Sequence, residues 1–147
     1  MRNFDLIVFD WDGTLVDSTA HIAQSIQKSY ADNDLPVPDE AAATHVIGLG
    51  LLDTFNYLSP NLTKNQHQGI VDRYRHHFLD ADKTIHAFKG ASEGLQALTQ
   101  RNYMLAVATG KSRVGLDRAL KKVDFGHLFS VTRCGDEGFP KPHPDML

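Results

Sequence analysis

The chain carries an apolar run, Leu6-Ile-Val-Phe9, that ends abruptly in Asp10-Trp11-Asp12-Gly13-Thr14-Leu15. A short, continuously apolar and β-branched-rich segment predicts a strand over residues 4–10, of the kind covered on both faces in a parallel sheet. Two carboxylates and a tight turn then stand where the strand runs out, the edge at which α/β enzymes keep their chemistry. Carboxylates one residue apart at a strand end can divide labour. One attacks or binds a metal while the other moves protons.

After this turn the periodicity becomes helical. Ile22, Ile26 and Tyr30 recur at intervals of four, and Asn33-Asp34 and Pro36-Val-Pro38 end that helix. A second helix is expected from Glu40 to Ile47, stopping near Gly48 and Gly50, and a third carries Leu51, Phe55 and Leu58. Thr63 can cap a fourth helix whose buried face is Ile70, Tyr74 and Phe78. At Gly90 the chain restarts with a helix bearing Leu95 and Leu98, a strand from Tyr103 to Thr109, a helix bearing Leu116, Leu120 and Val123, and a strand at Leu128 to Thr132. The order β–α–β–α–β, with one helical insertion after the first strand, predicts an α/β fold: a Rossmann-like, doubly wound parallel sheet. Residues 1–16 and 84–147 form the expected core, and residues 17–83 the expected all-helical cap.

Composition narrows the partners. A formal charge of -3 lacks the basic excess that binding to a phosphate backbone needs, so nucleic acid is not expected. No segment approaches the roughly 20 apolar residues of a membrane span, and none is expected to engage a membrane. The single cysteine, Cys134, cannot form an internal disulfide and suits a reducing compartment, so the expected address is cytoplasmic. None of the 8 histidines falls into a His-Glu-x-x-His spacing, and they are expected at the solvated surface.

The second strand ends at Thr109-Gly110-Lys111-Ser112, which opens a helix. In a parallel sheet this loop shares an edge with Asp10, and a hydroxyl followed by Gly and free helix-start amides suits a phosphate; Ser112 as an ordinary helix cap is the competing reading. The third strand leads to the same edge through Asp136-Glu-Gly-Phe-Pro140-Lys141-Pro142. The flanking prolines restrict the backbone of Lys141, so its ammonium can be aimed; a solvated lysine is the alternative. An EF-hand is disfavoured, because Gly13 comes two places early and His21 stands where the bidentate Glu belongs.

These strings, together with Lys141-Pro-His-Pro144, resemble the haloacid dehalogenase-like phosphohydrolases, and the chain is similar to their phosphoglycolate phosphatase branch. The resemblance runs from end to end and likens the helical insertion to that family's mobile cap. It implies Asp10 as a nucleophile forming an aspartyl-phosphate and Asp12 as general acid and then base. It also implies magnesium (Mg2+) held by Asp10 and the carbonyl of Asp12, and a phosphoryl group held by Thr109, Gly110 and Lys141. Asp12 argues against the family's true dehalogenases, which lack an Asp there, and against its ion pumps, which carry Thr.

The resemblance also implies a further acidic motif after a fourth strand, for which the six residues following Lys141 leave no room. A C-terminally truncated chain is the expectation, with Asp136, Glu137 or Asp145 as substitute ligands or as solvated loop residues. The first strand would then be an exposed edge through which the chain self-associates. The leading expectation is a phosphatase acting on a small phosphorylated metabolite, with 2-phosphoglycolate suggested by Gly48-Leu-Gly50 as a carboxylate-binding turn or, equally, a plain turn. Lys111, Arg113 and the histidines of the insertion are lesser candidates. The rivals are an inactive phosphate-binding or interaction fragment and a phosphosugar mutase.

Overall fold

The computed structural model describes residues 4–81 and 85–147. The chain divides into two compact units, Met1–Asp17 with Ala87–Leu147, and Ser18–His86. The boundary expected at residues 83 and 84 falls on residues outside those described.

The first unit holds strands β1 (Leu6–Phe9), β2 (Met104–Thr109) and β3 (Phe129–Cys134), all parallel, in the order β1-β2-β3. The helices α5 (Ala91–Gln100) and α6 (Arg113–Leu120) accompany β2 and β3. Leu105 to Thr109 are buried throughout, as a central strand covered on both faces requires. The first strand departs from cover on both faces and agrees with the exposed edge also expected of it: among the described residues it pairs only with β2, and Leu6 and Val8 remain 42% and 39% exposed. Phe9, Leu15, Leu95 and Leu98 line a shallow apolar depression nearby.

Two smaller expectations shift. Val123 lies beyond α6, which ends at Leu120, and the third strand runs on to Cys134, two residues past its expected end, in register with Thr109. That extension places the start of the Lys141 loop directly beside the Thr109 loop.

The second unit contains α1 (Thr19–Ala31), α2 (Glu40–His45), α3 (Leu51–Leu58) and α4 (Lys64–Ala81). Its core is the stripe read from periodicity: Ile22, Ile26 and Tyr30 of α1 with Phe55 and Ile70, while Tyr74 and Phe78 pack against it half-buried. The helix starts follow the sequence closely. Asp39 accepts the Ala42 amide at 2.7 Å, and Thr63 and Gln66 satisfy one another's amides at 3.0 and 3.3 Å in a capping box. Buried Tyr30 donates its hydroxyl hydrogen to Ser59 at 2.9 Å, and burial raises its pKa. Among the described residues, every buried side-chain polar atom has a hydrogen-bond partner.

Candidate active site

The turn after β1 is built around Trp11. Its ring is 1% exposed and meets Phe125 and Phe129 at centroid distances of 6.1 and 6.2 Å. Its carbonyl accepts the amides of Thr14, Leu15 and Val16 at 2.9–3.3 Å, and Gly13 takes a φ of 73°, a conformation that costs glycine little. A single buried aromatic thus anchors the turn, and the carboxylates on either side of it are held in place by a folded backbone.

Each carboxylate meets an ammonium. Lys141 Nζ lies 3.2 Å from Asp10 Oδ1, which also accepts the Trp11 amide at 2.7 Å. Lys111 Nζ donates to Asp12 Oδ1 at 3.0 Å, and this second pair is nearly enclosed, with side chains 12% and 10% exposed. Thr109 is buried at the end of β2, and its hydroxyl accepts the Lys111 amide at 3.2 Å. Gly110 follows at the bend. The structure therefore brings together Asp10, Asp12, Thr109, Gly110 and Lys141, and adds Lys111.

Lys111 is more central than its sequence position suggested. One signal for it was present: it stands two residues beyond Thr109, at the mouth of a strand parallel to the one carrying Asp12. Ser112 acts as the cap of α6, accepting the Gly115 amide at 3.2 Å. Gly48, with φ 100°, and Gly50, at the start of α3, belong to the helical unit.

The three acidic residues considered as substitute ligands are engaged elsewhere. The Asp136 carboxylate accepts the Arg113 amide, Glu137 is paired with the Arg113 guanidinium, and Asp145 accepts the Phe139 amide. Hydrogen bonds from Arg113 and then from the Cys134 amide hold Glu137 down at about 2, well below the usual carboxylate range. Burial pushes the Cys134 thiol up to about 11, so it stays protonated. Among the described residues, no group of three or more His, Cys, Asp or Glu side chains is arranged to hold a metal ion.

The donor chemistry nevertheless suits a hard cation. Both partners of Asp10 fall on Oδ1. Its Oδ2 is left to receive a cation or an electrophile, and magnesium is commonly bound by one or two carboxylates completed by substrate phosphate and water. No helix among the described residues is long and apolar enough to cross a membrane.

Comparison with known proteins identifies the family. Residues 7–147 match the model of the haloacid dehalogenase-like hydrolase family. The phosphoglycolate phosphatase of Mannheimia succiniciproducens is 31% identical over 98% of this chain and 69% of its own length. The probable phosphatase IndB of Dickeya dadantii is 30% identical over 96% of this chain and 64% of its own. A crystal structure of a predicted phosphoglycolate phosphatase from Haemophilus somnus superposes with a TM-score of 0.82 at 28% identity, covering 99% of this chain and 69% of that one. The chain spans about two thirds of the length of these relatives. They lend no support to self-association through β1. With a family model matched over almost its whole length, and a parallel sheet that carries paired carboxylates at its edge, the chain belongs to the haloacid dehalogenase-like hydrolases and groups with their phosphatases.

Proposed function

We propose that this chain is the core and helical insertion of a magnesium-dependent phosphatase that hydrolyses a small phosphomonoester through an aspartyl-phosphate on Asp10. The observation that carries the reading is the double pairing at the sheet edge, Asp10 with Lys141 and Asp12 with Lys111. Two carboxylates matched by two ammoniums leave the site near neutrality, so a phosphate dianion arriving with a divalent cation meets no net repulsion.

Asp10 and the carbonyl of Asp12 are the residues that would hold magnesium, which when bound screens the two anions and polarises the phosphoryl oxygens. Asp12 takes up a proton from solvent as the phosphate dianion binds; an Asp10 carboxylate oxygen then attacks phosphorus as the bond to the ester oxygen breaks, and Asp12 gives that proton to the departing alkoxide. Water then attacks phosphorus, Asp12 takes the proton from that water, and the Asp10 carboxylate leaves as inorganic phosphate forms. Lys141, Thr109 and the backbone at Gly110 hold the phosphoryl oxygens, and Lys141 offsets charge on Asp10.

2-Phosphoglycolate is the substrate proposed first, on the names of the phosphoglycolate phosphatases among the relatives. A reducing, cytoplasmic setting suits the lone Cys134. The test is magnesium-dependent release of phosphate from p-nitrophenyl phosphate and 2-phosphoglycolate. Asp10→Asn is expected to abolish it with the circular dichroism spectrum unchanged, and acid-quenched wild-type protein is expected to carry phosphate on Asp10. Undiminished turnover in Asp10→Asn would sink the mechanism, and an isomerised sugar phosphate in place of free phosphate would identify a mutase.

A second reading, a phosphate-binding module without turnover, is favoured by the lack, among the described residues, of a third carboxylate grouped with Asp10 and Asp12. Calorimetric binding of inorganic phosphate with no hydrolysis of any ester would support it.

A further inference from the structure

A highly connected polar side chain of the sheet unit lies outside the proposed reaction. Arg113, the first residue of α6, has several polar partners, with its side chain 32% exposed. Its guanidinium makes a two-pronged contact with Glu137, Nε to Oε1 and Nη2 to Oε2, both at 2.8 Å. Nη1 and Nη2 also donate to the hydroxyl and carbonyl oxygens of Thr132 at 2.8 and 3.0 Å, and Nη1 reaches Asp117 at 3.3 Å. Its backbone amide donates to both oxygens of Asp136 at 2.9 and 3.1 Å. Such a fork fixes geometry in a way that a lysine cannot reproduce.

What Arg113 joins are the two loops that carry Thr109 and Lys141. Glu137 Oε2 accepts the Cys134 amide at 2.8 Å, folding the start of the Lys141 loop back on the end of β3. Beside it the Gly135 amide donates to the Lys111 carbonyl at 2.8 Å. A Cβ at position 135 would come within 2.7 Å of the Gly110 carbonyl oxygen, so the two loops touch backbone to backbone. Past Glu137 the Phe139 amide donates to Asp145 Oδ2 at 3.1 Å, which pins the segment again before Lys141. Lys141 thus hangs from a loop anchored on one side by the Arg113–Glu137 fork and on the other by Asp145.

We infer that Arg113 is a positioning residue: through Glu137 and Asp136 it welds the Thr109 loop to the Lys141 loop and so keeps the Lys141 ammonium at Asp10. The role in turnover rests on the phosphatase reading; the role in holding Lys141 does not. The experiment therefore has two arms on the same chain. In the first, lysines are acylated with limiting acetic anhydride and followed residue by residue by mass spectrometry, with exposed Lys121 as the internal reference. Arg113→Lys and Glu137→Gln are expected to raise the rate at Lys141 relative to Lys121, because the fork-held geometry is lost.

In the second arm Arg113→Lys is expected to lower kcat/KM by about tenfold in the wild-type background, a loss carried by kcat, and to cost nothing further in a Lys141→Ala background, since residues that act through one another are not additive. A Lys141 acylation rate unchanged in both variants overturns the inference, as does an equal kinetic cost with and without Lys141. Should Arg113→Lys fail to fold, Glu137→Gln, which preserves shape, carries both arms. Raised labelling of Lys141 in a protein that hydrolyses no ester upholds the clamp and removes the phosphatase reading instead.

Discussion

At the scale of single residues, chemistry is concentrated in side chains whose neighbours differ more than their identities. Asp10 and Asp12 are both carboxylates, yet Asp10 pairs with a lysine brought from the far loop, while Asp12 pairs with one that closes over it. The proposed division of labour is the one that the family resemblance implies. Asp12→Asn keeps the shape of the side chain but cannot give or take the proton, and is expected to lower kcat by about 10²–10⁴-fold with KM little changed. Steady-state kinetics on p-nitrophenyl phosphate checks it, and a kcat equal to wild type would remove Asp12 from proton transfer.

Glu137 gives the pH prediction. Its carboxyl is lowered from 4.5 to about 2 by the Arg113 fork, so the stabilisation is complete above 4.5 and is lost as pH falls towards 2. Urea midpoints measured across that window are expected to drop in the wild type and to drop less steeply in Glu137→Gln, which has no proton to take up. Parallel curves for the two proteins would mean that the pair contributes nothing to acid sensitivity.

At the scale of elements, the site is made by strand ends and by the loops they release. β1 delivers Asp10, β2 delivers Thr109, and β3, after a register shift between Leu105 and Ala106, runs in register with β2 until Cys134 stands beside Thr109. The loops after β2 and β3 then touch at Gly110 and Gly135. Gly135→Ala would drive a methyl to 2.7 Å from a backbone oxygen that cannot rotate away. The expected cost is about 1–3 kcal/mol of stability, as for other overpacked sites, measured by thermal denaturation. A midpoint equal to wild type would show that the loops part readily.

Periodicity made the helices of the second unit readable, since Ile22, Ile26, Tyr30, Phe55 and Ile70 each bury the face their spacing assigned to them. Thr63 was legible as a start signal for the reason that it works, because its hydroxyl satisfies an amide that the helix leaves open, and the structure adds Gln66 as its reciprocal partner. The edge position of β1 was less legible from its own residues. Leu6-Ile-Val-Phe9 is a pattern suited to cover on two sides, and whether a second strand is present is a property of the sheet.

At the scale of the whole molecule, the chain carries two separate apolar cores. The lone tryptophan, Trp11, packs against Phe125 and Phe129 in the sheet unit, whereas Phe55 lies between Tyr30 and Tyr74 in the helical unit. Phe55→Ala is expected to cost about 3–5 kcal/mol in the helical unit, as for other buried aromatics cut back to alanine. Helix loss followed by far-ultraviolet ellipticity should then move to lower denaturant further than the Trp11 fluorescence transition. Equal shifts in the two signals would mean that the cores unfold as one cooperative system.

The amino-acid sequence by itself determined the order of elements, the helical stripes, the turn after the first strand and the family to which the chain belongs, because each of these is written in local spacing or in contiguous strings. Only the tertiary structure decided that Lys111 closes over Asp12 and that Arg113 fastens two loops 24 residues apart through Glu137. Those pairings join residues distant in sequence across parallel strand ends. Their partners depend on register and loop path, which no local pattern of residues encodes.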